Sequence, residues 1–175
     1  MAVDTSDIVF KLSVSAAAGN TTGGTPATSL GDQVSTTVIT SATLQNLFRT
    51  ITGPEAESGI TLYRCLFVCN EDASATLENA EVVITSQTAG GGTITIASDN
   101  IAASAKGSAS AQAAAIVSET SAPSGVSAFG AGPLSIGNIP PLSVKGVWLK
   151  MVVAPGAGPL SLDNIVLTVN GETLA

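Results

Sequence analysis

The stretch GITLYRCLFVCNED, residues 59–72, decides how the chain is read. Tyr63, Cys65, Phe67 and Cys69 alternate with Leu62, Arg64, Leu66 and Val68, the period-two pattern of a β-strand. Both sets are largely apolar, so the strand is expected in the middle of a sheet with cover on both faces. The two cysteines lie four residues apart in that strand. At about 3.3 Å per residue their Cα atoms would sit about 13 Å apart, and a disulfide tolerates no more than about 7 Å. A zinc site would need two further ligands, yet the chain has no histidine and no third cysteine. Cys65 and Cys69 therefore read as small buried apolar residues.

Outward from this stretch the pattern stays that of strands and turns. DIVFKLSVS (7–15) alternates cleanly, with Ile8, Phe10, Leu12 and Val14 on one side. The Gly-, Thr- and Pro-rich run that follows reads as a long loop to Gln33, and VSTTVIT (34–40) as a second strand. A turn or two of helix is expected around Ala42–Phe48, ended by Gly53 and Pro54, with GPEAESG as a turn. AEVVITSQT and GTITIAS, separated by AGGG, read as a hairpin with Val82, Ile84, Ile94 and Ile96 inward. The alanine- and serine-rich run 100–120 leans towards strand. After a Pro140–Pro141 turn, Val144–Val153 is a strong strand, with Val147, Leu149, Met151 and Val153 on one face. A last strand puts Ile165, Leu167 and Val169 inward. Roughly seven to nine short strands joined by Gly/Pro-rich turns predict an all-β protein. The expected form is an antiparallel β-sandwich, immunoglobulin-like or jelly-roll, in a single domain spanning 1–175. Residues 1–33 are expected to include an arm or long loop reaching away from it.

Composition narrows the chemistry. The chain has 175 residues, 45% hydrophobic, but 26 of those are alanine, so the large apolar side chains are fewer than the percentage suggests. Without histidine, Ser-His-Asp and Cys-His triads are excluded, and the commonest metal ligand is missing. A net charge of −7, with six scattered Lys and Arg, argues against binding nucleic acid or anionic lipid. No window of about 18 residues is continuously apolar. MAVDTSDIVF carries acidic residues where a secretory leader would be basic. Arg64 is expected to satisfy Glu55, Glu57 or backbone carbonyls, and Trp148 to anchor a core or an interface. The close pairs Glu55/Glu57 and Glu71/Asp72 read as solvated turn residues. No cofactor is implied.

Four segments, DIVFKLS, NLFRTITGPEAESGITLYRCLFVCN, LENAEVVITSQT and SIGNIPPLSVKGVWLKMVV, together resemble a group of small virion proteins of tailed bacteriophages. In that group an LF-x-x-[IV]-[TS]-G-x-E-A-x-x-G-x-x-x-YRC block precedes a strand ending in Asn, and an Ile-Pro turn precedes a strand carrying Trp. Where members often have Arg-Arg after that strand, this chain has Leu149-Lys150-Met151. The resemblance implies a non-enzymatic capsid decoration, or cement, protein made in the host cytoplasm and carried on the virion surface. It would bind the major capsid protein and assemble with itself, as a trimer. Its contacts are then expected from the N-terminus and the first long loop, at Asp4, Asp7, Asn20 and Leu30, with Arg64 and Trp148 as strand-borne candidates. Truncating residues 1–30 would remove shell binding and leave the sandwich folded. A tail, baseplate or head-fibre component is the rival within the virion. A carbohydrate-binding module or adhesin is disfavoured, since such sites use aromatic platforms and the chain has one Trp and one Tyr.

Overall fold

Residues 60–70 form the central strand that their alternation predicts. In a computed structural model, which describes residues 2–15, 19–89, 91–158 and 164–173, they are β3 (Ile60–Asn70), flanked on both sides. One neighbour is β9 (Ser143–Val153), antiparallel in unbroken register from Ile60↔Val153 to Asn70↔Ser143. The other is β1 (Ile8–Val14), from Ile8↔Asn70 to Leu12↔Leu66. β2 (Gly31–Val38) pairs with β1, and the short β7 (Ala113–Ala115) with β2. β5 (Thr93–Ser98) and the two-residue β6 (Ser104–Ala105) both pair with β9. A second sheet of three strands has β4 (Leu77–Gln87) between β8 (Leu134–Ile139) and β10 (Ile165–Glu172). Every pairing is antiparallel, and the protein is an all-β sandwich of one seven-stranded and one three-stranded sheet.

The two faces of β3 fall into two cores. Leu62, Leu66 and Val68 join Leu149, Met151 and Val153 of β9 against Val82, Ala80, Ile136 and Ile139 of the small sheet. Cys65, Phe67 and Cys69 face the other way, with Trp148, Val34 and Val144. That second core is closed by Ala114 of β7 and, from chain outside the sheets, by Ile116, Val126 and Phe129. The large sheet is thus a middle layer, which is why its strands read as nearly continuous apolar runs.

Several expectations need correction. AEVVITSQT and GTITIAS are not a hairpin: β4 belongs to the small sheet and β5 to the large one. Their inward residues are as read, but the connection crosses from one layer to the other. Residues 42–48 form turns, and the α-helix is one step later, α1 (Gly53–Ser58). Pro54 starts this helix rather than ending one. It occupies the first turn, where its missing N–H costs nothing, behind a capping box between Thr52 and Glu55. The second strand begins at Gly31, three residues before the expected start.

Among the described residues of 1–33, Ile8–Val14 and the start of β2 lie in the large sheet rather than in an arm. β1 is an interior strand, so truncating residues 1–30 would delete the middle of the large sheet. Asp4–Asp7 is a capped 3-10 turn, and the Glu71 amide donates to the Asp7 carbonyl at 2.7 Å. The segment before β2 is also held down. Ser29 is fully buried; its hydroxyl donates to the Cys65 carbonyl and accepts from the Ser13 amide. No helix among the described residues is long and apolar enough to cross a membrane.

Candidate functional site

The block that carries the resemblance folds, with Glu119, into one clamp around the N-terminal half of β3. Arg64 is buried, its side chain 2% exposed. It donates to the Leu47 carbonyl (3.2 Å), to the Tyr63 carbonyl (3.0 Å) and to the Glu119 carboxylate. Its guanidinium also lies 5.9 Å from the centre of the Phe48 ring. Arg49 takes the other Glu119 oxygen through Nε at 2.7 Å and grips Glu55 with two further bonds of 2.6 and 2.8 Å. Glu55 accepts in turn from the Thr52 amide and hydroxyl. So Arg64 does satisfy carbonyls and a carboxylate, but the carboxylate is Glu119, distant in sequence; Arg49 holds Glu55. An open cavity of about 470 Å³ lies over the clamp, lined by Thr25, Pro26, Ala27 and Gln45 beside the charged groups. Both guanidinium groups facing it are already engaged.

These carboxylates depend on pH in a defined direction. Hydrogen bonds from Arg49, with help from Thr52, hold the Glu55 carboxyl down at about 2, against 4.5 for the free group. For Glu119, burial pushes upward but the bonds from Arg49 and Arg64 outweigh it, and the net shift is downward. A group with a depressed folded pKa binds more protons when unfolded. Its stabilisation is therefore complete above 4.5 and lost as pH falls towards about 2. The melting temperature is expected to fall through that window, and less steeply in a Glu55→Gln variant measured by acid titration of circular dichroism. Equal slopes in the two proteins would contradict the clamp.

The second piece of the shared pattern docks onto the first. Asn70, buried at the end of β3, donates through Nδ2 to the carbonyls of Ala75 (2.9 Å), Ile139 (3.0 Å) and Pro140 (3.2 Å). The strand ending in Asn and the Ile-Pro turn are thus one contact. On the opposite face, Trp148 pairs with Cys65 across the strands and donates from Nε1 to Asp99 at 3.0 Å. Asp99, itself buried, also accepts the amides of Ala114 (2.7 Å) and Ile101 (2.9 Å). Lys145 donates to the carbonyls of Asp99 and Ile101, both at 2.6 Å. Burial lowers its pKa, partly opposed by the Asp99 charge. Cys65 and Cys69 are free thiols in this core. Burial raises both, Cys69 to about 12, which removes the thiolate that redox or metal chemistry needs.

A third cluster gathers around Lys11, in the middle of β1. Lys11 Nζ is 2.8 Å from Glu71 Oε1 and 3.0 Å from Asn20 Oδ1; Lys106 holds the second Glu71 oxygen. Glu71 is therefore not a solvated turn residue, unlike Asp72, whose carboxylate accepts the Ser74 and Ala75 amides within its turn. Burial pushes Glu71 upward, but the two lysines outweigh it and its pKa is lowered.

The residues expected as contacts are scattered. Asp4 caps the N-terminal turn, Leu30 is fixed by its backbone to Thr28 and Ile116, and Arg64 and Trp148 are buried in different layers. Arg64 and Asn20 each join a cluster of charged side chains, Arg64 with Glu119 and Arg49, Asn20 with Lys11 and Glu71. Sequence reading missed Glu119, Asp99 and the Lys11–Glu71 pair, because each partner is distant along the chain. The Thr52–Glu55 capping spacing is a local signal that the reading of GPEAESG as a turn passed over. Among the described residues no three of His, Cys, Asp and Glu group as a metal site would require. Comparison with protein-family models, with curated proteins and with solved structures finds no match.

Proposed function

We infer that the chain is a structural protein of a phage virion, a capsid decoration protein that binds the major capsid protein and stiffens the shell. One observation carries the reading. The residues of the shared pattern, from Thr52, Glu55 and Arg64 to Asn70, Ile139 and Pro140, are bonded to one another or to their scaffold rather than turned towards a ligand. A pattern of that kind preserves a shape, which suits a protein whose work is done by its surface. The charge of −7 disfavours nucleic acid and anionic membranes as partners. The outer strands β8 and β10 of the small sheet supply edges to which an extended segment of a neighbour can add. Self-association as a trimer would multiply weak contacts with the shell.

The test is light scattering of the purified protein followed by cosedimentation with expanded shells lacking it. A trimer that binds saturably supports the reading; a ring of six, or a monomer indifferent to shells, contradicts it. Deleting residues 1–6 leaves β1 whole and is expected to weaken shell binding with the melting temperature of the free protein little changed. Unchanged binding would remove the N-terminus from the contact.

A further inference from the structure

Lys11, Asn20 and Glu71 place an amine, a carboxamide and a carboxylate together. Lys11 projects from the middle of β1 with its side chain 9% exposed. Its Nζ touches only two groups among the described residues, Asn20 Oδ1 at 3.0 Å and Glu71 Oε1 at 2.8 Å. Glu71 Oε1 is buried and has no other partner among those residues, while Lys106 occupies the second oxygen and fixes the carboxylate's orientation.

Asn20 is delivered to Lys11 by its backbone. It adopts φ 56°, a left-handed conformation that asparagine tolerates better than most residues, and its amide donates to the Val34 carbonyl at 2.7 Å. Gly19 before it donates to Ser108 at 2.9 Å and leaves no room for a side chain: a Cβ there would lie 2.4 Å from the Lys106 carbonyl. The turn that carries Asn20 is thus pressed against the chain that carries Lys106.

We propose that Lys11 and Asn20 form an intramolecular isopeptide bond, with Glu71 as the proton carrier. Glu71 Oε1 takes a proton from the Lys11 ammonium, within the reach that general-base transfer requires. The freed amine attacks the Asn20 carboxamide carbon, as lysine does in other covalent steps. The C–Nδ2 bond breaks as Glu71 passes to the departing nitrogen first the proton taken from the ammonium and then the second proton, shed by the attacking nitrogen. Nδ2 thus leaves as ammonium, and the chain loses the elements of one ammonia. No oxidant or cofactor is needed, and holding the two groups in contact supplies most of the acceleration. The product staples the interior strand β1 to the turn that follows it. This inference is independent of the role in the virion.

Intact-mass spectrometry of the purified full chain reads the bond directly. The expected mass is lower than the sequence demands by one ammonia. Trypsin should then fail to cut after the acylated Lys11 and release residues 1–49 as one peptide carrying the whole deficit. A Lys11→Arg variant and a Glu71→Gln variant, each shown folded by circular dichroism, should have the full masses of their sequences. Full mass in the wild-type chain, with cleavage after Lys11, would overturn the proposal without any variant being needed. A deficit that persists in Lys11→Arg would overturn the assignment to this lysine, and one that persists in Glu71→Gln would overturn the role of Glu71.

Discussion

Trp148→Ala is expected to cost about 3–5 kcal/mol, the range for removing a large aromatic from a packed core. Trp148 is fully buried at the centre of the core behind the large sheet, across from Cys65 and beside Val34 and Phe67. Its loss leaves a cavity and also strips Asp99 of one of three N–H donors in a buried site. Typical domains are stable by only about 5–15 kcal/mol, so the variant should be close to unfolding. For a chain of this size the melting temperature should drop by about 10 °C. Trp148→Phe separates the two effects: it keeps most of the packing and removes only the donor, so its cost should be about 1–3 kcal/mol. Similar costs for the two variants would show that packing contributes little here.

Arg64→Met should be nearly as damaging, at about 3 kcal/mol. Methionine replaces the aliphatic stem but leaves the Leu47 and Tyr63 carbonyls without their donor and Glu119 with Arg49 alone. The partial exposure of Glu119 and its remaining partner keep the cost at the lower end for a broken buried pair. Pairing the change with Glu119→Gln removes the stranded charge. The double variant should therefore lose less than the sum of the single ones, by about 0.5–3 kcal/mol. Strict additivity in urea denaturation would mean that the two residues do not act as a unit.

What could be read from the sequence, and what could not, divides along physical lines. Period-two alternation identified β1, β3, β9 and β10 and the inward residues of β4 and β5, because side-chain direction is set within the strand itself. It could not tell which sheet a strand joins. The glycines at 90–92 look the same in a tight hairpin as in a crossing between layers, and the crossing is what occurs. Pro54 misled for a related reason: it stops a helix from its interior and starts one from its first turn, and only the Thr52–Glu55 spacing separates the two cases. The clamp was half visible. Arg64 was marked as needing an acceptor, but Glu119 lies 55 positions away and no local pattern links them. Lys11, Asn20 and Glu71 likewise meet only after β1 and β3 pair.

The role proposed for the chain is tested most directly by scanning calorimetry of expanded shells, alone and saturated with the purified protein. The account predicts a higher melting temperature for the decorated shell, reached at a fixed ratio of protein to capsid sites. An unchanged shell transition at saturating protein would contradict it.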